Sequence, residues 1–333
     1  MAKKKVAING FGRIGRLCLR CGLESKDLDF VAVTFSYGAK AAAHLFKYDS
    51  VYGKFNGEIS VDGENLVVDG KKIRVINQRD VSKMPWKELG VDIVLECTGA
   101  LRKKEEAQAH LKAGAKKVII SAPAKGDVES YVIGVNDKKN FGDVIDNASC
   151  TTNCLMPVLA VLEKEFGIKR AFMTTIHAYT SDQRLLDGSH DDLRRARAAA
   201  LNIIPTSTGA KEAAQKIMPE LAGKVDGMAI RVPVPTGSLV DVVAELGKNT
   251  TPEEINSAME KASKTYLKGI LEYSTEPLVS SDIIGNRHSS VFDSLSTKVL
   301  QGNFVKVLSW YDNEIAYSQR LVDLAEKAAY TLK

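Results

Sequence analysis

Val6-Ala7-Ile8-Asn9-Gly10-Phe11-Gly12-Arg13-Ile14-Gly15 decides the fold of this 333-residue chain. Apolar strand-forming residues run straight into a G-x-G-x-x-G that must open a helix near Arg13. Gly10 permits a tight turn, Gly12 lets the backbone approach a pyrophosphate, and Gly15 lets helix and strand pack closely. The helix N-terminus then offers N–H donors to phosphate. A second strand, Phe30 to Thr34, follows about 20 residues on, the spacing of a dinucleotide-binding βαβ unit.

Outward from this stretch the alternation continues. Val91 to Glu96 and Val118 to Ser121 read as strands around an amphipathic helix, Lys103 to Leu111, that stops at Gly114. Strand–helix alternation implies a parallel sheet with right-handed crossovers. From about residue 170 the pattern changes to alternating strands: Ala171 to Tyr179, Gly227 to Val234, Ser238 to Leu246 and Phe304 to Tyr311. Between them lie a long irregular stretch, Thr180 to Pro205, and a helix that starts firmly at the capping box Thr251-Pro252-Glu253-Glu254. The expected architecture is α/β: a Rossmann-type parallel-sheet domain, residues 1–149 with a returning final helix in 315–333, plus an α+β catalytic domain with a mostly antiparallel sheet, residues 150–314.

Composition bounds the function. Hydrophobic content of 44% and charged content of 26% are those of a soluble globular protein. No run approaches the roughly 18 apolar residues of a membrane span. Met1-Ala2-Lys3-Lys4-Lys5 leads straight into a strand without a signal-peptide apolar region, so a cytoplasmic protein is the simplest reading, although a processed organelle protein would read the same. The net charge of +5 fits an anionic small substrate and makes no case for nucleic acid or membrane. Five cysteines are an odd number in a large chain and not a disulfide framework. Cys18 and Cys21 form a C-x-x-C inside an expected helix with no second pair, which argues for packing and against a metal site.

The chemistry is expected at Cys150, in Ser149-Cys150-Thr151-Thr152-Asn153-Cys154. An extended segment, Val144 to Ala148, gives way there to an apolar run, Leu155 to Phe166, that reads as a helix ending at Gly167. A cysteine near a helix N-terminus has its thiolate favoured. His177 closes the alternating run Phe172 to Tyr179. A Cys/His pair behind a dinucleotide fingerprint suggests covalent catalysis coupled to hydride transfer. An NAD site usually has an acid at the end of the second strand to hold the ribose hydroxyls. Here the segment is Val33-Thr34-Phe35-Ser36-Tyr37-Gly38, without one, which either leaves the ribose less well held or admits a 2′-phosphate with Ser36 as a donor.

The chain closely resembles phosphorylating glyceraldehyde-3-phosphate dehydrogenases along nearly its whole length. The matching stretches are Ile8 to Arg16, Ala148 to Cys154, Asp192-Leu193-Arg194-Arg195-Ala196-Arg197 and Trp310-Tyr311-Asp312-Asn313-Glu314. The resemblance implies attack by the Cys150 thiolate on an aldehyde, with His177 stabilising the thiolate and then acting as base, oxidation to a thioester, and its capture by inorganic phosphate. It implies that Thr180, Asp182 and Arg231 hold the substrate phosphate, and that Ser149, Thr151, Arg195, Thr208 and Gly209 hold inorganic phosphate. Arg194 and Arg197 are expected as interface or ion-pair residues. Implied cofactor contacts are Gly10, Phe11, Gly12, Arg13, Ile14, Gly15, Phe35, Ser36, Arg79, Thr98, Gly99, Ser121, Gly188, Ser189 and Asn313, with Asn313 fixing the nicotinamide carboxamide. No metal is implied, and a homotetramer is.

Two departures bear on the cofactor. NAD-specific members usually have Asp where this chain has Phe35, and Leu-Pro where it has Gly188-Ser189. Gly-Ser there resembles the NADP-using members, and losing the charge at Phe35 while gaining a hydroxyl at Ser189 would both favour a 2′-phosphate, with NAD as a second cofactor and no obvious arginine clamp. Ile315-Ala316 also departs from the family's usual aromatic-glycine pair, and repacking of the last helix is the simplest account. The alternatives carried forward are oxidation of erythrose 4-phosphate by the same machinery and a nucleic-acid-binding role for the dinucleotide cleft.

Overall fold

Strand β1 (Lys4–Asn9) delivers Gly10 to the first turn of α1 (Arg13–Gly22), and β2 (Leu28–Thr34) returns beside it. A computed structural model describes residues 2–137 and 141–332. The chain continues through α2 (Gly38–Lys47), a short ribbon of β3 (Tyr48–Asp49) and β4 (Gly53–Lys54), then β5 (Ile59–Asp62), β6 (Asn65–Val68) and β7 (Lys71–Ile76). Then come α3 (Trp86–Leu89), β8 (Ile93–Glu96), α4 (Lys104–Lys112), β9 (Lys117–Ile120), β10 (Glu129–Ser130) and β11 (Val144–Asp146). Nine strands form one sheet in the order β10-β11-β9-β8-β1-β2-β7-β6-β5. Strands β10 to β7 in that order are parallel, and β6 and β5 extend the edge antiparallel. The order runs outward from β1 on both sides, so the winding reverses between β1 and β8. Ligands of such sheets bind beyond the strand ends at that reversal.

Apolar residues from strands and flanking helices fill the first unit. Ala7, Ala32, Val94, Trp86 and Ala115 share one buried cluster, and Ala107, Val118, Ile120 and Val144 another. The two cysteines of α1, Cys18 and Cys21, are buried.

The second unit begins at α5 (Cys150–Phe166) and continues with β12 (Ile168–Ala178), β13 (Ile204–Thr206), α6 (Ala210–Ile217), β14 (Val225–Val232) and β15 (Ser238–Leu246). It ends with α7 (Pro252–Lys264), β16 (Leu271–Ser274), β17 (Ser290–Leu300), β18 (Phe304–Tyr311) and the start of α8 (Ile315–Tyr330). Its sheet runs β13-β14-β12-β15-β18-β17-β16. The pairs β12/β14 and β16/β17 are parallel and the other four antiparallel. Helix α5 is buried through Leu155, Met156, Val158, Leu159, Val161 and Leu162, and only its last turn, at Lys164 and Glu165, is exposed. Thr251 accepts from Glu254 N–H at 3.3 Å and Glu254 from Thr251 N–H at 3.1 Å, the reciprocal cap that starts α7.

Residues 132–137 and 150–317 make up the second unit and the other described residues the first. Residues 132–137 and 315–317 thus group with the second unit, where the sequence reading placed them in the first. The reason is local: Gly134 approaches Leu267 and Ile270 of the second unit. Met1, residues 138–140 and Lys333, included in the expected domain ranges, lie outside the described residues. Among the described residues no helix is long and apolar enough to cross a membrane.

Candidate active site and dinucleotide pocket

Cys150 is the first residue of α5, and a turn of unusual backbone puts it there. Ala148 has φ +51°, a left-handed conformation that costs a non-glycine residue about 1 kcal/mol. Its N–H is held by Asp146 Oδ1 at 2.7 Å. Strand β12 has a period of two, so Ala171, Met173, Thr175 and His177 are buried on one face. His177 Nε2 lies 3.4 Å from Cys150 Sγ.

The ring of His177 is oriented from its other nitrogen. Nδ1 lies 2.6 Å from Ala178 O and 2.9 Å from Arg231 Nη1. Both cannot be hydrogen bonds at once, because Nδ1 either donates or accepts. Arg231 Nη1 has Ala178 O at 3.0 Å as an acceptor in any case. We therefore assign the proton to Nδ1, which donates to Ala178 O and leaves the Nε2 lone pair facing Sγ. Arg231 is the direct partner of His177 across the parallel β12/β14 pair, so strand register sets the contact.

Burial dominates the electrostatics of the pair. It pushes the Cys150 thiol up, against Arg231 and the Thr151 N–H, which favour the thiolate. It also drives His177 down to about 3, assisted by the Arg231 and Arg195 charges and opposed by Ala178 O. The helix-terminus donors act in the direction expected from the sequence, but desolvation outweighs them. Burial thus favours the thiol at Cys150 and the neutral imidazole at His177, whose Nε2 lone pair faces Sγ.

Tyr311, which the sequence reading left without a role, stacks edge-on against His177 with ring centroids 5.9 Å apart. Its hydroxyl lies 2.9 Å from both Thr151 Oγ1 and Thr175 Oγ1. Burial places its pKa well above the usual phenol. Cys154, one helical turn beyond Cys150, is a buried thiol pushed up to about 12, chiefly by desolvation, and lies 3.6 Å from Ser290 Oγ.

Two of the expected anion residues, Arg195 and Asp182, contact each other directly, and Arg231 reaches Thr180. Arg195 donates to Asp182 Oδ2 at 2.6 Å, Thr206 Oγ1 at 2.9 Å and Ser207 O at 3.2 Å. Asp182 is thus the ion-pair partner of Arg195, which joins the two phosphate groupings drawn separately from the sequence. Burial alone would raise the Asp182 carboxyl, but Arg195, His190 and Arg231 hold it below its usual range. Arg231 Nη1 reaches Thr180 Oγ1 at 3.5 Å, and its Nε is buried without a hydrogen-bond partner. Gly209 caps α6, Thr208 precedes it half-buried, and Ser149 precedes α5 half-buried. Arg197 pairs with Asp187 at 2.9 Å, and Arg194 donates to Pro205 O at 3.3 Å.

In the first unit a pocket opens at the winding reversal. It is lined by Asn9, Gly10, Phe11, Thr34, Phe35, Ser36, Tyr37, Gln78, Arg79, Val81, Thr98, Ala100 and Leu101. The pocket brings together Gly10, Phe11, Phe35, Ser36, Arg79 and Thr98 from the expected set. Asn9, Thr34, Tyr37 and Gln78 were missed, although the ends of β1 and β2 were the signal for the first two. A Cβ on Gly10, at φ +99°, would sit 2.8 Å from Cys97 C, and one on Gly15 would sit 2.1 Å from Gly10 O. A Cβ on Gly12 would meet nothing within 4 Å. Gly10 and Gly15 are thus sites of forced close approach, and Gly12 is open.

Other expected contacts lie outside the lining of this pocket. The Arg13 guanidinium pairs with Asp49 at 2.6 Å. Ile14 and Gly15 lie in the first turn of α1, Gly99 is exposed, and Ser121 N–H is bound to Glu96 O at 2.9 Å. In the second unit Gly188 and Ser189 are exposed, with Ser189 O accepting from Arg184 Nε at 2.7 Å. Asn313 Oδ1 accepts from Ser238 Oγ at 2.9 Å and Thr236 Oγ1 at 3.1 Å. Ile315 and Ala316 are buried at the start of α8.

Comparison with known proteins agrees with this picture. Residues 4–104 match the family model described as glyceraldehyde 3-phosphate dehydrogenase, NAD binding domain, and residues 149–313 match its C-terminal domain. The chain is 57% identical over 324 residues to glyceraldehyde-3-phosphate dehydrogenase 1 of Bacillus subtilis, covering 96% of this chain and 97% of that one. Identity is also 57% over 324 residues to glyceraldehyde-3-phosphate dehydrogenase of Geobacillus stearothermophilus, with the same coverage. It is 53% over 337 residues to the chloroplastic glyceraldehyde-3-phosphate dehydrogenase GAPA1 of Arabidopsis thaliana, covering 100% of this chain and 85% of that one.

Proposed function

The chain belongs to the glyceraldehyde-3-phosphate dehydrogenase family, and from that premise we propose that it oxidises glyceraldehyde 3-phosphate to 1,3-bisphosphoglycerate through a thioester on Cys150, with NADP as preferred cofactor. The observation that carries this is the 3.4 Å contact between Cys150 Sγ and a His177 Nε2 whose lone pair faces it. His177 takes the thiol proton as Sγ bonds to the aldehyde carbon, and returns it to the developing alkoxide to give a hemithioacetal. The nicotinamide, when bound, would supply the hydride acceptor for the next step, oxidation of the hemithioacetal. His177 takes the hydroxyl proton as the hydride leaves, and a thioester remains on Cys150. A phosphate oxygen then attacks the thioester carbonyl, the carbon–sulfur bond breaks, and the thiolate recovers its proton from His177.

Arg231 and Arg195 supply the charge for the phosphates, and the orphaned Arg231 Nε is a donor that an anion would satisfy. The glycine turn fits a dinucleotide pyrophosphate, which Arg13 would meet through its main chain because its side chain is committed to Asp49.

The NADP reading rests on the adenosine end. The described pocket lining contains no carboxylate, and Arg79 is its one charged residue, beside Ser36. Arg79 is the cation already implied among the cofactor contacts, and it lines the same pocket as Ser36. A homotetramer is part of the same proposal. Leu185, Leu186, Leu193, Leu201 and Ile203 are exposed in the irregular stretch of the second unit, an apolar set that a partner subunit would cover.

Initial rates with glyceraldehyde 3-phosphate and inorganic phosphate, with NADP and NAD in parallel, test this. A higher kcat/KM with NADP is expected. Preference for NAD would overturn the cofactor reading alone, and turnover only of erythrose 4-phosphate would overturn the substrate. Cys150→Ser is expected to abolish oxidation while retaining NADP binding. Phe35→Asp is expected to weaken NADP more than NAD, and equal effects would remove the missing acid as the cause of preference.

A further inference from the structure

Behind the dinucleotide pocket lies a buried polar network that the proposed chemistry does not use. Glu96, at the end of β8, is 1% exposed, and His110 of α4 and Trp86 of α3 are fully buried. Donors reach Glu96 from three segments. Asn9 Nδ2 donates to Oε2 at 2.6 Å, Thr98 N–H to Oε1 at 2.8 Å, and the Thr98 hydroxyl to Oε1 as well. His110 Nε2 lies 3.0 Å from Oε2. Trp86 Nε1–H, which can only donate, points at His110 Nδ1 from 2.9 Å. Nδ1 is therefore the acceptor, Nε2 carries the proton, and His110 donates to Glu96. Both Glu96 side-chain oxygens thus accept hydrogen bonds.

The chain of bonds continues to the pocket wall. Asn9 Oδ1 accepts from Thr34 Oγ1 at 2.8 Å, and Thr34 Oγ1 accepts from Gly10 N–H at 2.7 Å. Asn9, Gly10, Thr34 and Thr98 all line the pocket. One carboxylate thus sets the direction of the bonds running to the glycine turn, the end of β2 and the turn after β8. Such a network rigidifies only while every member is satisfied.

We propose that Glu96 is a positioning residue for the nicotinamide dinucleotide: its buried carboxylate, backed by His110 and Trp86, fixes the turns at Gly10 and Thr98 in the geometry that receives the cofactor. This rests on the reading of the pocket as a dinucleotide site. Charge and geometry make opposite demands here. Glu96→Gln removes a negative charge near an anionic ligand, which by itself would tighten binding. It also turns an amide N–H₂ toward donors that have no acceptor left, which distorts the turns and weakens binding.

Isothermal titration of NADP and NAD into ligand-free protein separates the two. The dissociation constant is expected to rise at least tenfold in Glu96→Gln, and about threefold in Thr98→Val and in Trp86→Phe, each of which removes one donor. The rate of Cys150 alkylation by iodoacetamide in the same ligand-free variants reports on the second unit and is expected to stay at the wild-type value. An unchanged or lower dissociation constant in Glu96→Gln overturns the proposal, as does a parallel collapse of binding and alkylation. If Glu96→Gln does not fold, wild-type affinity in both Thr98→Val and Trp86→Phe overturns it. Wild-type protein that binds neither dinucleotide would overturn the reading of the pocket instead.

Discussion

Cys150 is held between a burial that favours its thiol and a guanidinium that favours its thiolate, with burial the larger effect. Arg231 is the largest of the effects opposing burial. Arg231→Gln is therefore expected to slow iodoacetamide alkylation of Cys150 near pH 8 by roughly three- to tenfold, since each unit of thiol pKa is about tenfold in thiolate. An unchanged rate would remove Arg231 from the electrostatics of the nucleophile. His177 yields a second prediction through linkage. Its folded value of about 3 lies below its ordinary value near 6.5, so below that ordinary value the unfolded chain binds a proton that the folded one refuses. Stability from this group is complete above about pH 6.5 and is lost as pH falls toward 3. His177→Asn should flatten urea midpoints across that window, and the wild-type slope in the variant would contradict it. The two residues proposed as catalytic were legible because motif and strand period place them. Tyr311 and the hold of Arg231 on His177 were not, because both depend on pairing of strands distant in sequence.

The glycine turn and the helix caps make the element scale testable. A Cβ at Gly15 would overlap main-chain Gly10 O, which cannot swing aside as a side chain can. Gly15→Ala is expected to cost about 1–3 kcal/mol in urea unfolding, as overpacking does, and wild-type stability would contradict the close approach. Thr251→Ala, which deletes the cap of α7, should cost about 1 kcal/mol by the same measurement. Strands β1, β2, β8 and β9, with α1 and α4, were read from the sequence to within a few residues, because buried strands are apolar runs with sharp ends. Strands β5, β6 and β7 were not. Exposed residues interrupt β5 and β7, and β6 is only four residues long; the only signal was their turns at Asp62-Gly63 and Asp69-Gly70, where both glycines have positive φ. The pocket residues Gln78 and Val81 come just after β7, so the missed edge of the sheet hid part of the site.

For the whole molecule, exposed leucines and Ile203 in the irregular stretch call for a partner. Sedimentation is expected to give a homotetramer, and the pair Leu201→Asp with Ile203→Asp to shift it to smaller species. A wild-type monomer would contradict the proposal. The central claim is acyl transfer through Cys150, and one experiment reaches it directly. Protein mixed with glyceraldehyde 3-phosphate and NADP in phosphate-free buffer would be quenched in acid, digested and examined by mass spectrometry. The account predicts a phosphoglyceryl thioester on the peptide carrying Cys150, accumulating in one turnover and discharged to an acyl phosphate when inorganic phosphate is added. Steady turnover without phosphate and without such an adduct, or an adduct on another cysteine, would contradict it.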